Sequence, residues 1–178
     1  MIEVLSDGSK SLKLITNFFS LLDSPKVDTT GTYPSYSTGN RKIHIIQNTK
    51  ELESTIQALK LTTLIGFDSE QRPTFKKNEP SHGVATIQLA SLTDCYIIQV
   101  KKITNIDPLI KLLEDGNIVK VGVNLTGDKQ TLNDEFGIRM QATIDIDGIL
   151  TKLSSRQSIG AKKAATIFLK KIYKNLKR

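Results

Sequence analysis

Short apolar runs with period-two alternation are interspersed with longer stretches whose apolar residues recur three and four apart, a pattern that predicts alternating strands and helices. Lys42-Ile43-His44-Ile45-Ile46 reads as a strand, with His44 an ordinary strand residue rather than a ligand. Asn48 or Thr49 then caps a helix that runs to about Lys60, with Leu52, Ile56 and Leu59 facing inward. Leu64-Ile65-Gly66-Phe67-Asp68-Ser69-Glu70 begins as a buried strand and ends in two carboxylates. Val84 to Ala90 alternates as a third strand, and Asp94 begins a turn into a fourth, Tyr96 to Val100. The last three strands are predicted to form a meander whose middle member pairs on both sides. Beyond them, Ile106, Leu109, Ile110 and Leu113 mark a helix that Gly116 would stop. Ile118 to Val123 is a short strand, Gly127 to Phe136 a helix ended by Gly137, and Ile144 to Asp147 a brief polar–apolar alternation. Strands first, then helices alternating with a strand, imply an α/β layered fold around a mixed sheet.

The two ends have a different character. Leu12, Ile15, Phe18, Phe19 and Leu22 give residues 9–22 helical spacing, and residues 23–41, with Pro25, Gly31, Pro34 and Gly39, read as a linker. The expected division is therefore an N-terminal amphipathic helix and linker over 1–41 and a globular domain over 42–178. From about Gln157 a basic helix is expected, with Ile159, Ala164, Phe168, Ile172 and Leu176 on one side.

Composition narrows the possible chemistry. A chain of 178 residues, 38% hydrophobic and 24% charged, has room for one domain with a substantial core. A single cysteine, Cys95, excludes an internal disulfide framework and a multi-cysteine zinc site, and its apolar neighbours suit a buried structural thiol. Two histidines, His44 and His82, argue against a histidine-rich metal site. No run is long and apolar enough for a membrane span, and Glu3 and Asp7 oppose a signal peptide, so a soluble intracellular protein is expected. Nine of the 25 basic residues follow Asp147 and none of the 18 acids does, leaving 16 basic against 18 acidic side chains before it. A near-neutral body with a basic end suggests a polyanionic partner, nucleic acid first; the alternative is a solvated helix face.

Asp68 and Glu70, two apart on a strand, point to the same side. At about 4 Å and an effective dielectric of roughly 20 their repulsion is on the order of 4 kcal/mol. A divalent cation removes that repulsion; the alternative is a strand running out into a polar loop. Asp128 lies just after the strand predicted at Ile118 to Val123 and near a helix start, where the helix dipole alone would favour an acid. His82, Lys76, Lys77 and Arg72 flank the first pair, and Arg72 could meet a phosphate, although such loop residues are commonly just solvated.

At these residues the chain resembles the DEDD 3′–5′ exonuclease superfamily, in its ribonuclease D and Werner-type branch. Ile65-Gly66-Phe67-Asp68-Ser69-Glu70 with Arg72-Pro73 is similar to the first exonuclease motif, and Val84 to Ala90 with Cys95 to Ile98 resembles the strand pair after it. Lys120-Val121-Gly122-Val123 through Gly127-Asp128 and Leu132 is similar to the second motif, and Asp145 with Ile159-Gly160-Ala161 resembles the region beyond. The resemblance spans roughly residues 42 to 175. It implies a ribonuclease H-like mixed β-sheet flanked by helices, and a pair of divalent metal ions, Mg²⁺ or Mn²⁺, held by Asp68, Glu70 and Asp128. The implied reaction is hydrolysis of phosphodiesters from the 3′ ends of DNA or RNA. Arg72 and the tail residues Lys162, Lys163, Lys170 and Lys171 are the candidate nucleic-acid contacts.

One motif of the family is missing. Its third motif, Tyr-x-x-x-Asp or His-x-x-x-Asp on a late helix, supplies a fourth acid and the residue that orients the water. Here Tyr173 is followed four positions on by Lys177, and no acid follows Asp147. The reading at this point is a domain without the family's final helices: a shortened product, a chain completed by a partner, or a silent nucleic-acid-binding or partner-binding module. An incompletely covered sheet face would then favour self-association or a partner chain.

Overall fold

The computed structural model describes residues 34–72 and 82–154. The predicted N-terminal helix, most of the linker, the segment 73–81 and the basic tail beyond residue 154 lie outside the described residues. By its contacts the chain divides into two compact units, Thr38–Ile146 and the combination of Met1–Ser37 with Asp147–Arg178.

The first unit is built on one six-stranded sheet. Its strands are β1 (Lys42–Ile46), β2 (Leu64–Gln71), β3 (Val84–Ala90), β4 (Asp94–Ile98), β5 (Val119–Gly122) and β6 (Thr143–Asp145), in the spatial order β1-β4-β3-β2-β5-β6. The meander is as expected: β3 pairs antiparallel with β2 on one side and β4 on the other. β5 lies parallel to β2 and β6 parallel to β5, while β1 lies parallel to β4 at the far edge. Helices α1 (Thr49–Leu59), α2 (Asp107–Glu114) and α3 (Leu125–Phe136) supply the covering layer, and α4 (Ile146–Ser154) begins where β6 ends.

Register and alternation assign the faces. Phe67 is opposite Leu89, which is opposite Tyr96; Ser69 is opposite Ile87, which is opposite Ile98. Ile65, Phe67, Ile87, Leu89 and Ile98 are buried with Leu52, Ile56 and Leu59 of α1, Leu109, Leu112 and Leu113 of α2, and Leu125 and Leu132 of α3. Asp68 and Glu70, like Gly66, belong to the other face. There Ile43, Ile45 and Leu64 are each more than half exposed.

Several boundaries follow from local chemistry. The Asn48 side chain accepts from the Glu51 N–H at 2.9 Å and starts α1. Pro108 stands in the first turn of α2, where its missing N–H costs nothing. That helix stops at Glu114 with Asp115 extended, so the break precedes Gly116, which the sequence pattern favoured. Gly137 does end α3, in the left-handed conformation at φ 70°. The alternation at Ile144 to Asp147 splits: Thr143–Asp145 is strand, and Ile146 already belongs to α4. Asp94 is the first residue of β4 itself; the turn precedes it. Its carboxylate meets His44 Nε2 of β1 at 2.7 Å, and the His44 ring stacks on Tyr96 with centroids 5.0 Å apart. No helix among the described residues is long and apolar enough to cross a membrane.

Candidate active site

The site begins where β5 leaves the sheet. β5 pairs with β2 only over Leu64 to Gly66, so the second half of β2, with Asp68 and Glu70, is flanked by β3 alone. Gly122 marks the departure. A Cβ there would stand 2.7 Å from the Phe67 carbonyl oxygen and would collide with Leu125, so only glycine lets the chain turn so close to β2. A gap at the carboxyl ends of parallel strands, beside a change of strand direction, is a common place for α/β folds to bind ligands.

The turn that follows launches α3. Asn124 takes the left-handed conformation, φ 60° and ψ 49°, which asparagine tolerates better than most residues. Its side chain makes no cap. The exposed helix-start donors are instead met from β6: the Asp145 carboxylate accepts from the Asn124 N–H at 2.8 Å and from the Leu125 N–H at 3.0 Å. Asp128 then falls in the first turn of the helix.

α3 is fastened to the sheet along one side. The Ser69 hydroxyl donates to Asp128 Oδ1. Gln71 Nε2 donates to Thr131 Oγ1 at 3.1 Å, and the Val84 N–H donates to Glu135 Oε2 at 2.6 Å. Residues 128, 131 and 135 lie three and four apart, hence on one helical face. The Lys101 ammonium donates to the His82 carbonyl, so the chain is anchored on both sides of residues 73–81.

Electrostatically the three acids act on one another. Partial burial raises the Asp68 pKa above the ordinary carboxylate range; the negative charges of Asp128 and then Glu70 add to that, and the Ser69 backbone N–H opposes it. Among the described residues no group of three or more His, Cys, Asp or Glu side chains is drawn together closely enough to hold a metal ion. The donor set itself, carboxylate oxygens whose mutual repulsion a cation would relieve, suits a hard divalent ion such as Mg²⁺ or Mn²⁺.

Comparison with known proteins agrees with this arrangement. Residues 43–176 match the 3′–5′ exonuclease family. The chain belongs to that family. A 3′–5′ exonuclease of Arabidopsis thaliana is 29% identical over 119 residues, covering 66% of this chain and 38% of the relative. Escherichia coli RNase D, described as an exoribonuclease involved in structured RNA processing, superposes with a TM-score of 0.66 at 23% identity, over 76% of this chain and 35% of that one. The EXD2 exonuclease domain, in a crystal structure soaked in Mn, gives a TM-score of 0.55 at 20% identity, over 74% of this chain and 71% of that one. At these identities the structural likeness is one of fold, and that fold is the ribonuclease H-like exonuclease architecture. The chain spans little more than a third of the Arabidopsis relative and of RNase D.

Within this exonuclease domain the structure brings Asp68, Glu70 and Asp128 into one electrostatic neighbourhood. Arg72 is exposed at the exit of β2, while Lys162, Lys163, Lys170 and Lys171 lie outside the described residues. Cys95 is a free thiol, only partly buried. Two residues of the motif regions have contacts that the motifs do not announce. Ser69 stands in the first motif only as the residue between two acids, and Asp145 only as part of the region beyond the second; in the structure Ser69 donates to Asp128, and Asp145 is partly buried and closes the start of α3. Asp145 lies where the family pattern resumes after Asp128, but nothing in that pattern announces a helix cap.

Proposed function

We propose that this exonuclease domain hydrolyses phosphodiesters at the 3′ end of a nucleic-acid strand, with Asp68, Glu70 and Asp128 holding two divalent metal ions. The observation that carries this reading is the crowding of negative charge on Asp68 by Asp128 and Glu70 at the open end of β2. When bound, such ions neutralise charge developing on the phosphate and acidify the attacking water. The protein's own contribution is placement. β2 fixes Asp68 and Glu70 on one face beyond the last β5 pair, and α3, closed by Asp145, brings Asp128 to Ser69, the residue between them. Family membership and the RNase D-like fold support the reaction class; the Mn-soaked EXD2 domain supports the choice of metal. Arg72 is a candidate phosphate contact, and the lysines at 162, 163, 170 and 171 supply charge for the strand beyond the cut.

The test is degradation of a 5′-labelled oligonucleotide by the chain and its Asp68→Ala variant, with Mn²⁺ and with chelator. The expected result is a ladder shortening from the 3′ end, present only for the unaltered chain with metal. A ladder that survives Asp68→Ala would reject the assignment.

A further inference from the structure

Ser69 occupies an unusual place in this site. Its neighbours Asp68 and Glu70 point from one face of β2, so its own side chain points from the other, toward the face that α3 covers. There the hydroxyl donates to Oδ1 of Asp128. On the near side its backbone N–H acts on the Asp68 carboxylate. One residue thus donates to one of the three acids and acts electrostatically on a second, and the two come from different elements.

The hydroxyl has one proton to donate, and Asp128 receives it on one oxygen. Bonding one carboxylate oxygen removes most of the rotational freedom of the group and fixes where the second oxygen stands. The contact is also the first of the row that ties α3 to the sheet, followed by Gln71–Thr131 and Val84–Glu135. Losing it therefore leaves the helix attached by the other two and frees the carboxylate alone.

We infer that Ser69 is a positioning residue for the proposed metal site, its hydroxyl orienting Asp128 so that the oxygen it does not engage is left for a cation. This role depends on that site. Groups that orient metal ligands commonly change affinity by about ten- to a hundredfold when removed. Ser69→Ala deletes the donor without adding bulk. Ser69→Thr keeps the hydroxyl and is at ease in a strand.

The experiment is a Mn²⁺ titration of the full chain, followed by water-proton relaxation, for the unaltered protein and the Ser69→Ala, Ser69→Thr and Asp68→Ala variants. Urea midpoints are taken in chelator, and nuclease rate is recorded at each Mn²⁺ concentration. Ser69→Ala is expected to raise the half-saturating Mn²⁺ concentration about tenfold. Its nuclease rate should recover as Mn²⁺ is raised, and Ser69→Thr should stay close to the unaltered protein. A purely structural serine would lower the urea midpoint and leave the Mn²⁺ isotherm where it was, which overturns the inference. An unaltered protein that binds no Mn²⁺, or binds it equally well as Asp68→Ala, overturns the metal site and the role of Ser69 together.

Discussion

The carboxylate of Asp145 accepts the backbone N–H of Leu125 at 3.0 Å, so the end of strand β6 closes the first turn of the helix that carries Asp128. The same carboxylate takes the Asn124 N–H at 2.8 Å, leaving two helix-start donors satisfied by one side chain from another element. Its negative charge also lies against the positive end of the helix dipole.

Asp145→Ala should therefore cost about 1–2 kcal/mol, the usual scale for losing a helix cap. Asp145→Asn keeps one good acceptor oxygen and should cost less. Urea unfolding of the two variants in chelator gives the comparison directly. Equal midpoints for both and for the unaltered chain would show that the helix start finds water as readily as Asp145.

The meander was legible because β2, β3 and β4 alternate long enough to set a period, and turn residues separate them. Asp68 and Glu70 were legible as a pair for the same reason, since strand geometry fixes which side each takes. What sequence could not show was contact between elements. Asp145 stands 20 positions from Leu125, and its acceptors serve backbone donors that any residue type would present. Ile118 to Val123 was legible as a strand, but a lysine among valines does not say which face is buried. In the structure Lys120 is wholly buried while Val119 and Val121 are only partly so, because the lysine's pleat position is beside Ile65 on the helix-covered face. The four-residue alternation at Ile144 was too short to distinguish a strand end from a helix start, and the chain uses it as both.

Asp68 carries the clearest pH signature. Its folded-state pKa is raised, by partial burial first and by Asp128 and Glu70 next. The folded chain thus holds that proton more tightly than the unfolded chain, and without metal its stability falls as pH rises through the window above the ordinary value of 3.8. Asp68→Asn removes this penalty. In chelator at pH 7 the variant should be more stable than the unaltered chain, by less than about 1 kcal/mol because solvent screens the site. The advantage should vanish as pH is lowered through the window. Mn²⁺ should reverse the order by stabilising only the unaltered protein. A variant less stable in chelator would mean that the Asp68 charge is a net support of the fold.

Lys120 gives the opposite sign. Burial lowers its pKa, with Asp115 working against the shift, and its ammonium donates to the Asp115 carbonyl at 2.6 Å. The unfolded chain holds this proton more tightly, so stability should rise with pH between the lowered value and 10.5. Lys120→Met keeps the length and removes the charge. It should match or exceed the unaltered chain by about 1 kcal/mol at neutral pH, with the difference shrinking toward pH 10.5. Thermal melts from pH 7 to 10 would show this. A loss of several kcal/mol at every pH would identify the lysine–carbonyl bond as a support that methionine cannot replace.

The charge asymmetry of the chain makes a prediction about binding that is separable from catalysis. Every charged residue after Asp147 is basic, and Lys162, Lys163, Lys170 and Lys171 form two adjacent pairs. If this end tracks a strand, each lysine that neutralises a phosphate releases a counterion, and log Kd changes with log salt by about 0.7 per contact for single strands. Changing all four to Gln should weaken oligonucleotide binding most at low salt and lower that slope by up to about 3. The cut itself should persist at high oligonucleotide concentration, because Asp68, Glu70 and Asp128 are untouched. Fluorescence anisotropy across a salt series, with an uncleavable oligonucleotide, measures the slope. A slope equal to that of the unaltered chain would mean that the strand is held elsewhere, with Arg72 at the exit of β2 the next residue to change.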